Sequence, residues 1–284
     1  MVRDVENVLA SQTEESSNKQ GLRVVLLGMG AINSCVARLF RERQSRVSIV
    51  GVITRRRESL TLDSLNGGSF ISNEADLLTA APDIIIEAAS QEAVREWGEA
   101  ALRVAGRFVV SSTGAFVDDQ LLDRLRKTAK RCGSQLVLSS GALAGVEALS
   151  AASRLGLSEL RHRILKPPQS WGSLPHRNDL PLETLKPVVL FRGSAREAAV
   201  RYPLNANVTI VSALASVGLD RTAVELVSDP SVAGNRHEIH ARGDFGSLDL
   251  VLENRPIESN PKSSVLAALA LIRYAENQVS EFVI

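Results

Sequence analysis

The stretch from Leu22 to Asn33, LRVVLLGMGAIN, restricts the possible folds of this chain more than any other. The aliphatic run Val24-Val25-Leu26-Leu27 stops at Gly28-Met29-Gly30, and a helical pattern begins at Ala31. Such a string reads as a buried parallel strand, a tight turn and a helix N-terminus. Gly28 permits the sharp turn, and Gly30 lets the backbone approach a pyrophosphate. The free N–H groups and the dipole of the next helix, opening with Ala31 and Ile32, then favour the negative charge. The usual third glycine is replaced by Asn33. A glycine string alone is weak evidence. With further strand–helix units behind it, it predicts dinucleotide binding.

Those units follow in order. Ala31 to Arg43 carries Ile32, Val36, Leu39 and Phe40 on one helical face, and VSIVGVI from Val47 to Ile53 reads as a second buried strand. In NAD-specific domains an acid at the end of this strand holds the ribose 2′-hydroxyl. Gln44 to Arg57 contains none, and the strand runs out into Thr54-Arg55-Arg56-Arg57. Guanidinium groups at Arg55 and Arg56 suit a 2′-phosphate, so the expected cofactor is NADP or NAD, with NADP favoured. Asn66-Gly67-Gly68 marks a turn, Ala75 to Thr79 a short helix, and Asp83 to Ala89 a third strand. Ala89 and Ser90 at its exit, and Ser112 at the exit of the next strand (Arg107 to Ser112), leave room for a ribose and a nicotinamide. Helices over Gln91–Ala105 and Leu121–Arg131 and a strand over Gln135–Ser140 continue the alternation. The prediction is an α/β, Rossmann-type doubly wound parallel sheet.

From Ser139 the pattern changes. SGALAG at 140–145 leads into a helix from Val146 to Leu155. Strand-like segments follow at 159–166, 188–192, 223–227, 238–242 and 248–253, broken by helices at 195–201 and 208–217. Strands and helices without βαβ regularity predict an α+β second domain on a mixed or antiparallel sheet. The expected division is an arm over 1–21, a dinucleotide-binding domain over 22–140 and a second domain over 141–262. A last helix from Ser263 is expected to pack back on the first domain, with 263–284 completing it.

Composition narrows the function classes. Lys and Arg (33) nearly balance Asp and Glu (32), so no overall field recruits nucleic acid or an acidic membrane. No apolar run reaches the roughly 18 residues that cross a bilayer. The polar first 20 residues lack a signal-peptide core, which makes the cytoplasm the default location. Cys35 and Cys132 have no metal spacing and read as buried free thiols, and no HxH, CxxC or GxSxG string is present. Chemistry is therefore expected from the dinucleotide.

Four histidines remain as acid–base candidates. His162, between Arg161 and Arg163, reads as structural or surface; His176 lies in a Pro-rich loop; His237 stands at a loop-to-strand junction, with His240 on the opposite face of the same strand. Asn207, in PLNANV, is placed to point a carboxamide into the interdomain cleft. Asn260-Pro261-Lys262-Ser263-Ser264 is expected to open the last helix, whose N–H groups and Lys262 would suit a carboxylate. Helix capping explains both motifs equally well.

Together, SSGALAG at 139–145, KPP at 166–168, YPLNANV at 202–208, DPSVAGNRHEIH at 229–240, GDFG at 243–246 and NPKSSVLAALA at 260–270 resemble the L-aspartate dehydrogenase family. The resemblance runs from residue 22 almost to the end. It implies hydride transfer to NAD or NADP, a second domain that binds substrate and supports a homodimer, and interconversion of L-aspartate with oxaloacetate and ammonia through iminoaspartate. In that reading His237 is the catalytic histidine, and Ala142 and Asn207 contact cofactor. Lys166, Asn207 and Lys262 are the expected substrate-binding positions, with an unidentified arginine as the alternative holder of the carboxylates. Whether the cell degrades aspartate or supplies iminoaspartate for NAD biosynthesis is left open. A related dehydrogenase or imine reductase on another small acid, and a non-catalytic NADP(H) sensor, are the alternatives.

Overall fold

The structure, a computed structural model, describes residues 21–55, 68–171, 186–203 and 206–284, the side chains of residues 206, 261 and 262 excepted. Six strands form the first sheet: β1 (Leu22–Leu27), β2 (Val47–Ile53), β3 (Ser69–Phe70), β4 (Ile84–Glu87), β5 (Arg107–Val110) and β6 (Gln135–Leu138). Their order is β3-β2-β1-β4-β5-β6, with every pairing parallel. The crossover helices are α1 (Ala31–Glu42), α2 (Glu74–Ala80), α3 (Gln91–Val104) and α4 (Asp119–Cys132). This is the doubly wound arrangement expected from the alternation. The strand order reverses between β1 and β4, and ligands of such sheets lie outside the carboxyl ends at that point.

The second sheet contains β7 (Leu157–Lys166), β8 (Val188–Ser194), β9 (Ala223–Ser228), β10 (Asn235–Gly243) and β11 (Gly246–Asn254), in the order β11-β10-β7-β9-β8. Only β7 and β9 pair in parallel, so the sheet is mixed. Helices α5 (Val146–Ala152), α6 (Ala195–Arg201) and α7 (Ala206–Leu214) belong to this half. Period-two alternation divides its strands. Leu160, His162 and Ile164 of β7 and His237, Ile239 and Ala241 of β10 are buried, whereas Arg161, Arg163, Arg236 and Glu238 face outward. The apolar core is continuous between the two halves: Phe108, Phe116 and Leu121 share a cluster with Ile164, Ile210 and Leu226.

The last helix, α8 (Val265–Glu276), presents Ala268, Leu271, Ile272 and Ala275 to Val24, Leu26, Val36 and Phe40. It begins two residues later than expected. Asn260–Ser264 is instead a strand, β13, paired with β12 (Pro256–Ile257), because Ser264 keeps an extended backbone and its Oγ accepts from the N–H of Leu266 as the helix cap. Neither thiol is buried: Cys35 is half-buried and Cys132 exposed.

The fingerprint turn depends on Gly28. Its φ of +91° is a left-handed conformation, and a Cβ there would lie 2.5 Å from the Cβ of Ala89. Gly28→Ala is therefore expected to lower stability by about 2–4 kcal/mol, from backbone strain and overpacking together. Urea unfolding measures this, and an unchanged midpoint would contradict the steric account.

Candidate active site

At the N-terminus of α1 the cap residue is Gly30. It offers no side-chain hydrogen bond, and the first turn carries no acidic side chain. The opening N–H groups of Ala31 and Ile32 are thus left for an anion. A Cβ on Gly30 would meet nothing nearer than the Ala88 carbonyl at 4.0 Å, so a pyrophosphate has room to approach. Asn33 does not loosen the motif. It is buried, and its Nδ2 donates to the carbonyls of Leu27 (3.2 Å) and Gly28 (2.8 Å), tying helix to strand where a third glycine would merely bring them close. These features fit a dinucleotide.

Arg55, just past β2, is exposed and pairs with Glu96 of α3 at 3.1 Å. An ion pair in water is worth little, so the guanidinium can exchange this partner for a phosphate. Arg56 lies outside the described residues, as do His176 and the side chain of Lys262.

The exits of β4 and β5 are joined by a residue that the sequence reading passed over. Glu87 is fully buried. Its Oε1 accepts from the N–H groups of Ala89 (2.7 Å) and Ser90 (3.0 Å) and from Ser112 Oγ (2.7 Å). Its Oε2 accepts from the N–H groups of Ser111 (3.2 Å) and Ser112 (2.9 Å). Burial raises its pKa, and these hydrogen bonds oppose the rise. Two of the expected cofactor contacts are thus occupied in holding the loops. The Ser112 hydroxyl donates to Glu87, and the Ser90 hydroxyl accepts from Ala93 N–H as the cap of α3. Ala89 packs on Gly28, and the side chains beside the cavity at the β5 exit are those of Ser111 and Thr113.

That cavity, of about 130 Å³, lies between the two sheets. Ile32, Ser111 and Thr113 contribute from the dinucleotide side, and the loop after β6 adds Ser139 to Ala142. From the second half come Lys166, Asn207, Asn235 and His237. Local hydrogen bonds draw these segments together. Asn207 Oδ1 accepts from Gly114 N–H (2.8 Å), and its backbone carbonyl accepts from Thr113 Oγ1 (2.8 Å). Asn254 Nδ2 donates to the Ala142 carbonyl (2.9 Å), while its Oδ1 accepts from Ser264 Oγ (3.0 Å).

The structure separates the histidines. His240 faces outward and bonds Asp249 at 2.6 Å. His237 is buried at the cavity wall, and burial, reinforced by His162 and Lys166, holds its pKa well below the ordinary value. His162 is neither on the surface nor isolated: it is fully buried, with Nε2 3.2 Å from His237 Nδ1. Its alternation with Leu160 and Ile164 was the sequence signal for an inward face. Burial also lowers Lys166 to about 8, and its ammonium sits 5.3 Å from the centre of the Trp171 ring. The cavity therefore combines a neutral imidazole, a cation and hydroxyl and amide groups beside a dinucleotide turn.

The chain is similar to known proteins over most of its length. The profile described as aspartate dehydrogenase, C-terminal, matches residues 147 to 278, and that of the homoserine dehydrogenase NAD binding domain matches residues 28 to 139. The chain is 46% identical over 263 residues to an L-aspartate dehydrogenase of Brucella anthropi, covering 92% of this chain and 98% of that one. It is 36% identical to an L-aspartate dehydrogenase of Serratia proteamaculans over 88% of this chain and 95% of that one. The crystal structure of aspartate dehydrogenase from Thermotoga maritima superposes with a TM-score of 0.74 at 24% identity, covering 93% of this chain and 99% of that one. The chain belongs to the L-aspartate dehydrogenase family.

Proposed function

We propose that the protein is an NAD(P)-dependent L-aspartate dehydrogenase, interconverting L-aspartate with oxaloacetate and ammonia through iminoaspartate. The observation that carries this reading is that His237 and Lys166 face one cavity beside the exits of β5 and β6, where a dinucleotide sheet receives its ligand. When bound, the nicotinamide exchanges a hydride with the substrate Cα. Gly28, Gly30, Ala31 and Ile32 receive the pyrophosphate at the α1 N-terminus. Ala89, Ala142 and Asn207 border the rest of the cofactor, with Ser90 and Ser112 shaping its walls. Lys166 holds a substrate carboxylate, and Lys262, in the segment before the last helix, is proposed for the same task. His237, neutral at rest, takes a proton from the water that adds to the imine carbon and returns it to the departing ammonia. Domains over 22–140 with 263–284, and over 141–262, homodimer formation and a cytoplasmic location belong to the same proposal.

His237→Ala is expected to lower kcat for aspartate by about 10²–10⁴ while leaving cofactor affinity intact. Turnover read from reduced nicotinamide absorbance, with dinucleotide binding measured separately, checks this; normal turnover would remove His237 from its role. The lowered Lys166 pKa sets a pH dependence with a definite sign. The ammonium is charged below about 8 and loses its proton above that pH. Inhibition by succinate, a dicarboxylate without a titrating amine, should therefore weaken about tenfold per pH unit above that point. In Lys166→Met it should be weak and flat with pH. For cofactor choice, Arg55→Ala should raise KM for NADPH several-fold, about 1 kcal/mol of binding, and leave KM for NADH unchanged. Equal effects on both would remove Arg55 from 2′-phosphate recognition.

A further inference from the structure

We infer that His162 and Ser212 are positioning residues that hold His237 in the tautomer with its proton on Nδ1, so that Nε2 meets the substrate as a base. The inference rests on the proposed role of His237 and adds two residues that the family resemblance did not assign. Ser212 lies on α7, fully buried, and its hydroxyl donates to the Thr209 carbonyl one turn earlier at 3.1 Å. With its proton directed there, Ser212 Oγ has only lone pairs to offer to His162 Nδ1, which stands 2.9 Å away. His162 Nδ1 must then carry the ring proton and donate it to Ser212.

A buried imidazole with no carboxylate partner stays neutral, and burial holds His162 down at about 3. Its single proton is already on Nδ1, so Nε2 is a lone pair. The group opposite that lone pair is His237 Nδ1 at 3.2 Å, which must be the donor. The His237 proton is thereby placed on Nδ1, and Nε2 is left unprotonated. His237 lines the cavity, and no protein group among the described residues bonds its Nε2.

The chain Thr209 carbonyl, Ser212, His162, His237 ends inside the protein on a carbonyl, which cannot accept a proton permanently. It serves to orient the ring rather than to conduct protons. When His237 Nε2 takes a proton during turnover, Nδ1–H continues to donate to His162, and the new charge is stabilised by a bond already in place. The two rings sit on neighbouring strands, tilted by 55°, which lets the His237 N–H point at an edge nitrogen of His162 instead of at its face. The fold supplies this alignment because Ile239 of β10 pairs with His162 of β7, putting both histidines on one sheet face.

The test uses the full chain labelled with ring-¹⁵N histidine, without substrate. Long-range ¹H–¹⁵N correlation spectra distinguish the two neutral tautomers, and His237→Ala identifies the resonances of His237. His237 is expected with protonated Nδ1 and unprotonated Nε2, the minority form of free histidine. His162→Leu removes the acceptor. It should release His237 toward the Nε2–H tautomer and lower kcat about 10- to 100-fold, with KM for the dinucleotide unchanged. His162→Gln keeps a carbonyl acceptor toward His237 and an amide donor toward Ser212, and should retain both the tautomer and most of kcat. Should His162→Leu not fold, Ser212→Ala carries the same comparison, with a smaller shift in the same direction. A wild-type His237 protonated at Nε2 would overturn the inference. So would a folded His162→Leu protein with unchanged tautomer and kcat, or equal loss of kcat in the Leu and Gln variants with the tautomer unmoved. Absence of aspartate turnover with the predicted tautomer present would overturn the proposed reaction alone.

Discussion

The cofactor side of this protein depends on one buried carboxylate. Glu87 lies at the end of β4 with no solvent exposure. A carboxyl group so placed is tolerable only if its oxygens are satisfied by hydrogen bonds. Five donors from two loops meet that requirement: four backbone N–H groups and the Ser112 hydroxyl. The consequence is geometric. The loops after β4 and β5 cannot move apart without leaving buried carboxyl oxygens unsatisfied, so the exits of the two strands are tied to each other. Gly28 packs against one of these loops through Ala89, and Asn207 bonds the turn that follows the other through Gly114. The glycine turn and the second half are thus both registered against the same support.

The chemistry follows from what that seam excludes. Both histidines on the inner face of the second sheet are buried, so desolvation favours their neutral forms and makes hydrogen-bond direction meaningful. Lys166, at the end of β7, is subject to the same penalty and sits close to losing its proton near physiological pH. A dianionic substrate entering such a place would offset the cost of the lysine's charge. The cavity thus holds a lysine that the chain's near-zero net charge does not suggest. On the outer face of the same sheet the residues are different. Arg163 lies between Glu225 and Glu238, and Arg236 bridges Glu238 and Glu253, in a partly solvated ladder. Pairs of this kind contribute little to stability individually. They do fix which face of each strand points inward, because a one-residue slip would bury the arginines and expose the histidines.

Much of this was legible along the chain. Apolar runs ended by glycine and small residues marked the strands of the parallel sheet, and Val47–Ile53 coincided with its predicted span. Alternation marked the mixed sheet, and the position of His240 opposite His237 followed from period two alone. The errors arose where local signals compete. NPKSS carries a proline and a serine run that read as a helix opening, yet pairing with Pro256 and Ile257 keeps it extended until Ser264 caps the helix. His162, flanked by two arginines, reads as structural or surface, and its burial decides for the first because neighbours on the strand face, not neighbours in sequence, set its environment.

Sequence by itself determined the elements, their order, the glycine turn and the residue types that could do chemistry, since these rest on periodicity and on backbone freedom within a few residues. Tertiary structure alone decided which of those residues meet. Glu87 gathers donors from a loop 25 residues away, and His162 lies beside His237 across 75 residues of chain. No local pattern encodes a hydrogen bond between strands that are neighbours only in the folded sheet. The protonation state of a histidine is set by burial and by the direction of its partner's lone pair, and both exist only once the two halves have closed on a common core.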